Sequence, residues 1–227
     1  MRTTNNTLKI WLNCPIKLIL GGLLLLFSSA IYAEEKIIVG LTADIPYAEV
    51  KHKGNKVRIK RIQNKLNKLT GNFSKTSRPC PPFCIAPIEA APNVKTVGEL
   101  ELIKFLQQNS DSQKGLLIDA RLADFYDVET IPGAINIPFT LFTSPSIKEV
   151  VLLLGVTRKN DEYDFSDAKI LYLFCNGPWC EQSPRAIKAL IDFGYPATKL
   201  YYYRGGMQLW KLFSLTTVLP QPNKVNQ

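Results

Sequence analysis

KILYLFCNGPWCEQSPRAIKALIDF, residues 169–193, passes from an apolar run to a helix through one short loop. KILYLF is typical of a strand buried on both faces. Ser183 suits a helix N-cap and Pro184 the first helical position, so the helix is expected over 184–193. Cys175 therefore stands at the carboxyl end of a strand, just before a helix N-terminus. In open α/β sheets, sites lie beyond that end of the strands. Backbone N–H groups gathered at a helix start favour an anion, which pushes a sulfur there toward thiolate, its nucleophilic form. The bland alternative is an inert buried cysteine. Asn176-Gly177-Pro178 is turn chemistry, placing Cys175 where the chain leaves the core, although Pro178 deletes one N–H that could have faced an anion.

Outward from this unit, strands and helices alternate. Leu200–Tyr203 reads as a strand and Met207–Phe213 as a helix. Upstream, 115–120 (GLLIDA) and 134–137 read as buried strands and 147–154 as a helix. Thr96 with Glu99 three residues on is a capping-box pattern. It predicts a helix to about Gln108 with Leu100, Ile103, Phe105 and Leu106 on its apolar face. This alternation predicts a parallel α/β sheet. Before it, 48–63 reads as a β-hairpin turning at Gly54-Asn55, with Val57, Ile59 and Ile62 apolar. Residues 64–76 are polar and irregular. SRPCPPFCIAP, 77–87, is too rich in proline for a helix and reads as a constrained connector.

The 227 residues are 46% hydrophobic and 21% charged, in keeping with a globular chain of one or two domains. The first 33 residues stand apart. Arg2, Lys9 and Lys17 are basic, no acid precedes Glu34, and the apolar run Leu18–Tyr32 ends in small residues and Ala33. This is the pattern of a secretory signal cleaved after Ala33. An uncleaved anchor is the alternative, but the run is shorter than the roughly 20 residues of a spanning helix. A periplasmic location is expected, with no stable membrane insertion after cleavage. Loss of the three basic residues lowers the net charge from +9 to +6. Much of the remainder lies in Lys51, Lys53, Lys56, Arg58, Lys60, Arg61, Lys65 and Lys68. No aromatic residue interleaves with these charges, so a solvated face is expected and no nucleic-acid partner. The single histidine, His52, is expected at the surface. Beyond Cys14, four cysteines remain in two close pairs, Cys80/Cys84 and Cys175/Cys180. In an oxidising compartment such pairs can form disulfides, and Cys80–Cys84 is the preferred local one.

LLIDARLADFYDVETIPGAINIP, 116–138, resembles the first rhodanese signature through Asp119, Arg121, Ile131, Gly133 and Ala134. YRGGMQLW, 203–210, resembles the C-terminal signature through Arg204, Gly205, Gly206 and Trp210. FCNGPWCEQSP, 174–184, falls where that family holds its active-site loop. The CNGPWC variant, preceded by SRPCPPFC and a short hairpin, is similar to an exported bacterial subgroup. The resemblance covers about 120 residues and reaches upstream to about Val50. It implies a five-stranded parallel sheet flanked by helices, preceded here by the small hairpin. It also implies a sulfurtransferase needing no cofactor and no metal. Cys175 would take sulfur from a small donor as a persulfide and pass it to a thiol or other thiophilic acceptor. Asn176, Gly177, Pro178, Trp179 and Cys180 would form the cradle, the N–H groups of all but Pro178 facing the sulfur. Asp119, Arg121 and Arg204 would support the loop.

Three departures from the family stand out. Glu129-Thr130 replaces the usual Gly-His. The loop lacks the common basic residue that grips thiosulfate, and position 181 is Glu. That same Glu181 stands six residues after Cys175, where a cysteine phosphatase needs Arg. Cys180 could resolve an oxidised Cys175 as a disulfide. A thiol–disulfide protein with a redox partner, relayed by Cys80 and Cys84, therefore stays open, as does a non-catalytic binding module on the same fold. The expected organisation is a signal at 1–33, an extension at 34–94, the main domain at 95–216 and a tail at 217–227.

Overall fold

A computed structural model describes residues 37–109, 112 and 114–220. The expected signal at 1–33 and most of the tail, 221–227, lie outside the described residues. The strands are β1 (Ala48–His52), β2 (Asn55–Ile59), β3 (Lys95–Val97), β4 (Gly115–Asp119), β5 (Ala134–Asn136), β6 (Thr157–Lys159), β7 (Glu162–Asp164), β8 (Ile170–Phe174) and β9 (Leu200–Tyr203). The helices are α1 (Glu99–Asn109), α2 (Ala123–Val128), α3 (Phe139–Phe142), α4 (Ile147–Leu153), α5 (Gln182–Phe193) and α6 (Gly206–Leu212). The central sheet is parallel and ordered β3-β9-β8-β4-β5, so β8 is its middle strand.

Alternation along the strands feeds two cores, one on each face of the sheet. On one face Ile118, Leu171, Leu173, Leu200 and Tyr202 pack with Val150 and Val151 of α4 and with Ala186, Ile187 and Leu190 of α5. On the other, Leu117, Tyr172, Phe174 and Tyr203 pack with α1 and α6. The hairpin β1–β2 belongs to this second core. Ala48, Val50 and Ile59 are buried there, while its lysines stay exposed. The hairpin is also joined to the other end of the chain. Ile62 donates its N–H to Ser214 O at 2.9 Å, and Thr216 donates to Lys60 O at 3.0 Å. Val218, placed in the tail by the sequence, pairs with Thr130.

Several local expectations are corrected. Thr96 lies in β3, the edge strand missing from the four apolar runs, and its hydroxyl donates to Ile88 O. Strand pairing holds the chain extended to Val97, so the helix starts later. Glu101 then plays the box acceptor, taking the Gly98 N–H at 3.1 Å. The face of α1 that packs inward carries Leu102, Ile103, Phe105 and Leu106, which leaves Leu100 outward, 49% exposed. The β1–β2 turn uses Lys53-Gly54, both at positive φ, and Asn55 already belongs to β2. His52 is buried, because the alternation that buries Ala48 and Val50 also turns it inward. Its Nδ1 accepts the Gly133 N–H at 3.1 Å. Burial, and then nearby Lys53, hold its pKa below the usual histidine value. A second hairpin, β6–β7, turns at Asn160-Asp161, with φ of 49° and 64°.

Candidate active site

Strand β8 ends at Phe174, and Cys175 follows at 2% exposure. Its Sγ is ringed by polar hydrogens. Ser183 Oγ donates to it at 3.3 Å. The N–H groups of Ser183 and Gly177 and the thiol of Cys180 also face it. Burial pushes the Cys175 thiol up, but these hydrogen bonds, the Cys180 thiol first, outweigh it and bring the pKa to about 7. As a thiol, Cys175 donates to the Cys180 carbonyl at 3.3 Å. Cys180 moves the opposite way. Its hydrogen bond to Cys175, its burial and the Cys175 charge all push it far up, against opposing N–H bonds from Asn176 and Gln182.

Ser183 does not cap the helix. Glu181 takes the N-cap position, so α5 starts at Gln182 and Ser183 falls in its first turn, fully buried with its hydroxyl on Cys175. The Cys180 N–H donates to Gly177 O at 2.9 Å, closing the loop as a tight turn rather than facing the sulfur. The Glu181 carboxylate turns away to Arg185 at 2.8 Å on the exposed face of α5.

The loop is braced from two sides. From α6, Met207 and Gln208 donate their N–H groups to the carbonyls of Cys175 and Asn176, at 3.0 and 2.9 Å. Only glycine fits at 206, where a Cβ would strike Cys175 O and lie 2.7 Å from Gly177 N. From β4, Asp119 and Arg121 form a fully buried ion pair at 2.6 Å. Thr130 donates its hydroxyl to Asp119 Oδ2 at 2.8 Å. Arg121 also donates to Glu129 O at 2.6 Å. The pair stands beside Phe174 in the β4–β8 register, one residue before Cys175.

Over the loop lies the proline-rich connector. Cys80 and Cys84 are disulfide-bonded within it, with Cα atoms 4.7 Å apart. Ala86 donates its N–H to Pro178 O at 2.9 Å, and Arg204 holds the carbonyls of Ala86 and Pro87. Arg204 therefore reaches the loop through the connector. Trp179 packs edge-on against Phe83, ring centres 5.0 Å apart, and its Nε1 donates to Gln208 Oε1 at 2.6 Å. Beside the loop a cavity of about 1030 Å³ opens between the 70–83 segment, α2 and the residues Asn176 and Trp179.

Sequence reasoning missed Ser183 as a partner of sulfur, Tyr202, and Arg78, whose guanidinium lies over the rings of Phe83 and Trp179 at 4.6 and 4.7 Å from their centres. Tyr202 sits on β9 beside β8, its hydroxyl buried without a partner; burial, and then Cys175, raise its pKa. A triplet of tyrosines in a strand gives no cue to which one faces the site. Among the described residues no cluster of three His, Cys, Asp or Glu side chains could hold a metal ion.

The five-stranded parallel sheet with helices on both faces is that of the rhodanese fold, and residues 102–212 match the family model of the Rhodanese-like domain. Among solved structures, the chain is similar to a human single-domain sulfurtransferase, 23% identical over 52% of this chain and 96% of that one, TM-score 0.36. It is also similar to a rhodanese from E. coli solved with anions, 27% identical over 46% and 96%, TM-score 0.30. A thiosulfate sulfurtransferase from Pseudomonas aeruginosa matches at 21% identity over 59% of this chain and 22% of that one, TM-score 0.39. No curated protein matches the chain.

Proposed function

We propose that this chain is an exported sulfurtransferase of the rhodanese type in which Cys175 carries a persulfide. The observation that supports it most is the setting of the Cys175 sulfur. A thiol with a pKa of about 7 is substantially ionised at neutral pH and ringed by donors from Gly177 and Ser183. The thiolate attacks the outer sulfur of a small donor. A sulfur–sulfur bond forms on Cys175, the donor's own bond to that sulfur breaks, and the leaving group departs with the electron pair. A thiol or other thiophilic acceptor then removes the outer sulfur and returns the thiolate. Asn176, Gly177 and Trp179 shape the cradle, Asp119 with Arg121 fixes the strand end beneath it, and Arg204 holds the connector over it. No cofactor takes part. At 2% exposure Cys175 is reached only when the loop shifts. A signal at residues 1–33 sends the protein to the periplasm.

Mass spectrometry of the full chain after donor treatment tests this. One added sulfur on the Cys175 peptide, absent from C175S, is the expected result. A free, alkylatable Cys175 that no donor charges would overturn it.

A second reading has its own support in the opposite shifts of Cys175 and Cys180, the pattern of an attacking and a resolving thiol. Here the pair cycles with a redox partner protein. Sulfur transfer at the normal rate in C180S would sink it.

A further inference from the structure

The lysine-rich stretch that follows the hairpin does not stand alone on the surface. Residues 61–67 lie against the end of α6. Ile62 donates its N–H to Ser214 O and Arg61 its Nε–H to Phe213 O, both at 2.9 Å. Asn67 Nδ2 donates to Ser214 Oγ at 3.1 Å. The chain near Ile38 joins the same place, where Ile38 and Val39 donate their N–H groups to Gln63 Oε1 at 2.8 and 3.0 Å. These bonds gather five large apolar side chains that the core leaves out. Leu66 is 82% exposed and Ile38 63%, while Ile62, Leu212 and Phe213 are half-exposed. Single apolar side chains at a surface need no explanation, but a cluster of them rimmed by polar groups marks a contact surface.

The charge around this cluster has one sign. Residues 50–88 hold seven Lys, three Arg and no Asp or Glu, and no acid follows Asp192. The segments 61–67 and 212–214 therefore bring no carboxylate to the cluster. Lys65 and Lys68 flank Leu66 and are exposed, and Arg61 stands beside Ile62. The Leu66 N–H is tied to Asn64 Oδ1 at 2.9 Å, which sets the turn that carries the leucine and its lysines. Contact surfaces for proteins are depleted in lysine and favour arginine and aromatic residues. The phosphates of a nucleic acid would meet the cations and leave the aliphatic side chains wet. A bilayer with anionic lipid uses both. Its headgroups attract Lys and Arg, and aliphatic side chains sink into the boundary between headgroups and acyl chains.

We propose that this face, with Leu66, Ile38, Ile62, Leu212 and Phe213 inside a rim of Arg61, Lys65 and Lys68, rests on the surface of a bilayer that contains anionic phospholipid. The contact is peripheral: the apolar side chains dip into the headgroup region and no element spans the bilayer. It is independent of the sulfur-transfer reading, since none of these residues belongs to the loop after β8 or to its braces.

Flotation with vesicles tests this. The chain from residue 34 is used, because the apolar run Leu18–Tyr32 would bind lipid unaided and Ile37–Gln227 is a compact unit of its own. The parent should float with phosphatidylcholine vesicles holding about one phosphatidylglycerol in three, and not with phosphatidylcholine alone. Lys65→Gln combined with Lys68→Gln should weaken binding about tenfold or more, at about fivefold for each cation removed. Leu66→Ser changes no charge and should weaken it about fivefold or more through lost apolar burial. These side chains are exposed, so the replacements leave the core alone. Lys148→Gln combined with Lys159→Gln removes the same charge from exposed positions on the α4 side of the sheet and should bind as the parent does. Salt near ~1 M should weaken binding of the parent, because charges are then screened within about 3 Å. Absence of flotation with the anionic vesicles overturns the proposal. So does equal loss in the two double-lysine variants, which would leave net charge as the only cause. Unchanged binding in Leu66→Ser, or single-stranded RNA bound as tightly as the vesicles, would make the face a general polyanion site and overturns it as well.

Discussion

Ser183 Oγ lies 3.3 Å from Cys175 Sγ and can donate to it, so the hydroxyl stabilises thiolate over thiol. Because this depresses the cysteine pKa, thiolate character appears as pH rises through about 7 and is lost below it. Alkylation of Cys175 should follow that midpoint. In Ser183→Ala the midpoint should rise by about one pH unit, since one hydrogen bond to a charged group contributes about 1.5–3 kcal/mol and one unit corresponds to about 1.4. A rate–pH profile with iodoacetamide on the C180S background reads it directly; an unmoved midpoint would show that the hydroxyl is idle. Cys175 itself was legible from the apolar run before it and the turn residues after it. Ser183 was misread because serine before proline at a helix start has two uses, and only the fold shows which one its hydroxyl takes. Arg78 left no trace in the proline-rich connector, since its contacts depend on Phe83 and Trp179 meeting in space.

The N-terminus of α6 and the loop after β8 form one unit through the bonds from Met207 and Gln208. Gly206 makes it possible, with φ +54° and no room for a Cβ. Gly206→Ala should therefore cost about 1–3 kcal/mol of stability from backbone strain. It should also slow Cys175 chemistry, as the carbonyls of Cys175 and Asn176 lose their tether. Urea melts alongside the alkylation rate would measure both. The glycines of YRGGMQLW were visible through a family resemblance, whereas their physical reason was not. The edge strand β3 shows the opposite limit. Thr96 and Glu99 satisfy a local capping rule, but pairing with β9 prevails over it.

At the scale of the molecule, the hairpin is part of the second core rather than an appendage. Ile59 is fully buried there. Ile59→Ala should destabilise the protein by about 2–5 kcal/mol, as for other large-to-small changes in a core. A chain starting at residue 95 should melt at lower temperature than one starting at residue 34, with exposed apolar surface detectable by dye binding. Equal melting temperatures would mean that the hairpin adds nothing to the domain. The sequence marked this hairpin by its alternation but could not say what its apolar face meets. That face is completed by α1, far along the chain, and by Leu215.

The pairing of Lys60 and Ile62 with Ser214 and Thr216 ties an early segment to one of the last described. A chain that emerges from its amino end cannot make these bonds until Thr216 is out. Such distant contacts also slow folding, because a long loop must close before they form. Until Ser214 and Thr216 have been made, the strand end at Lys60 and Ile62 has no partner for these bonds, and the hairpin waits on the segment that follows α6.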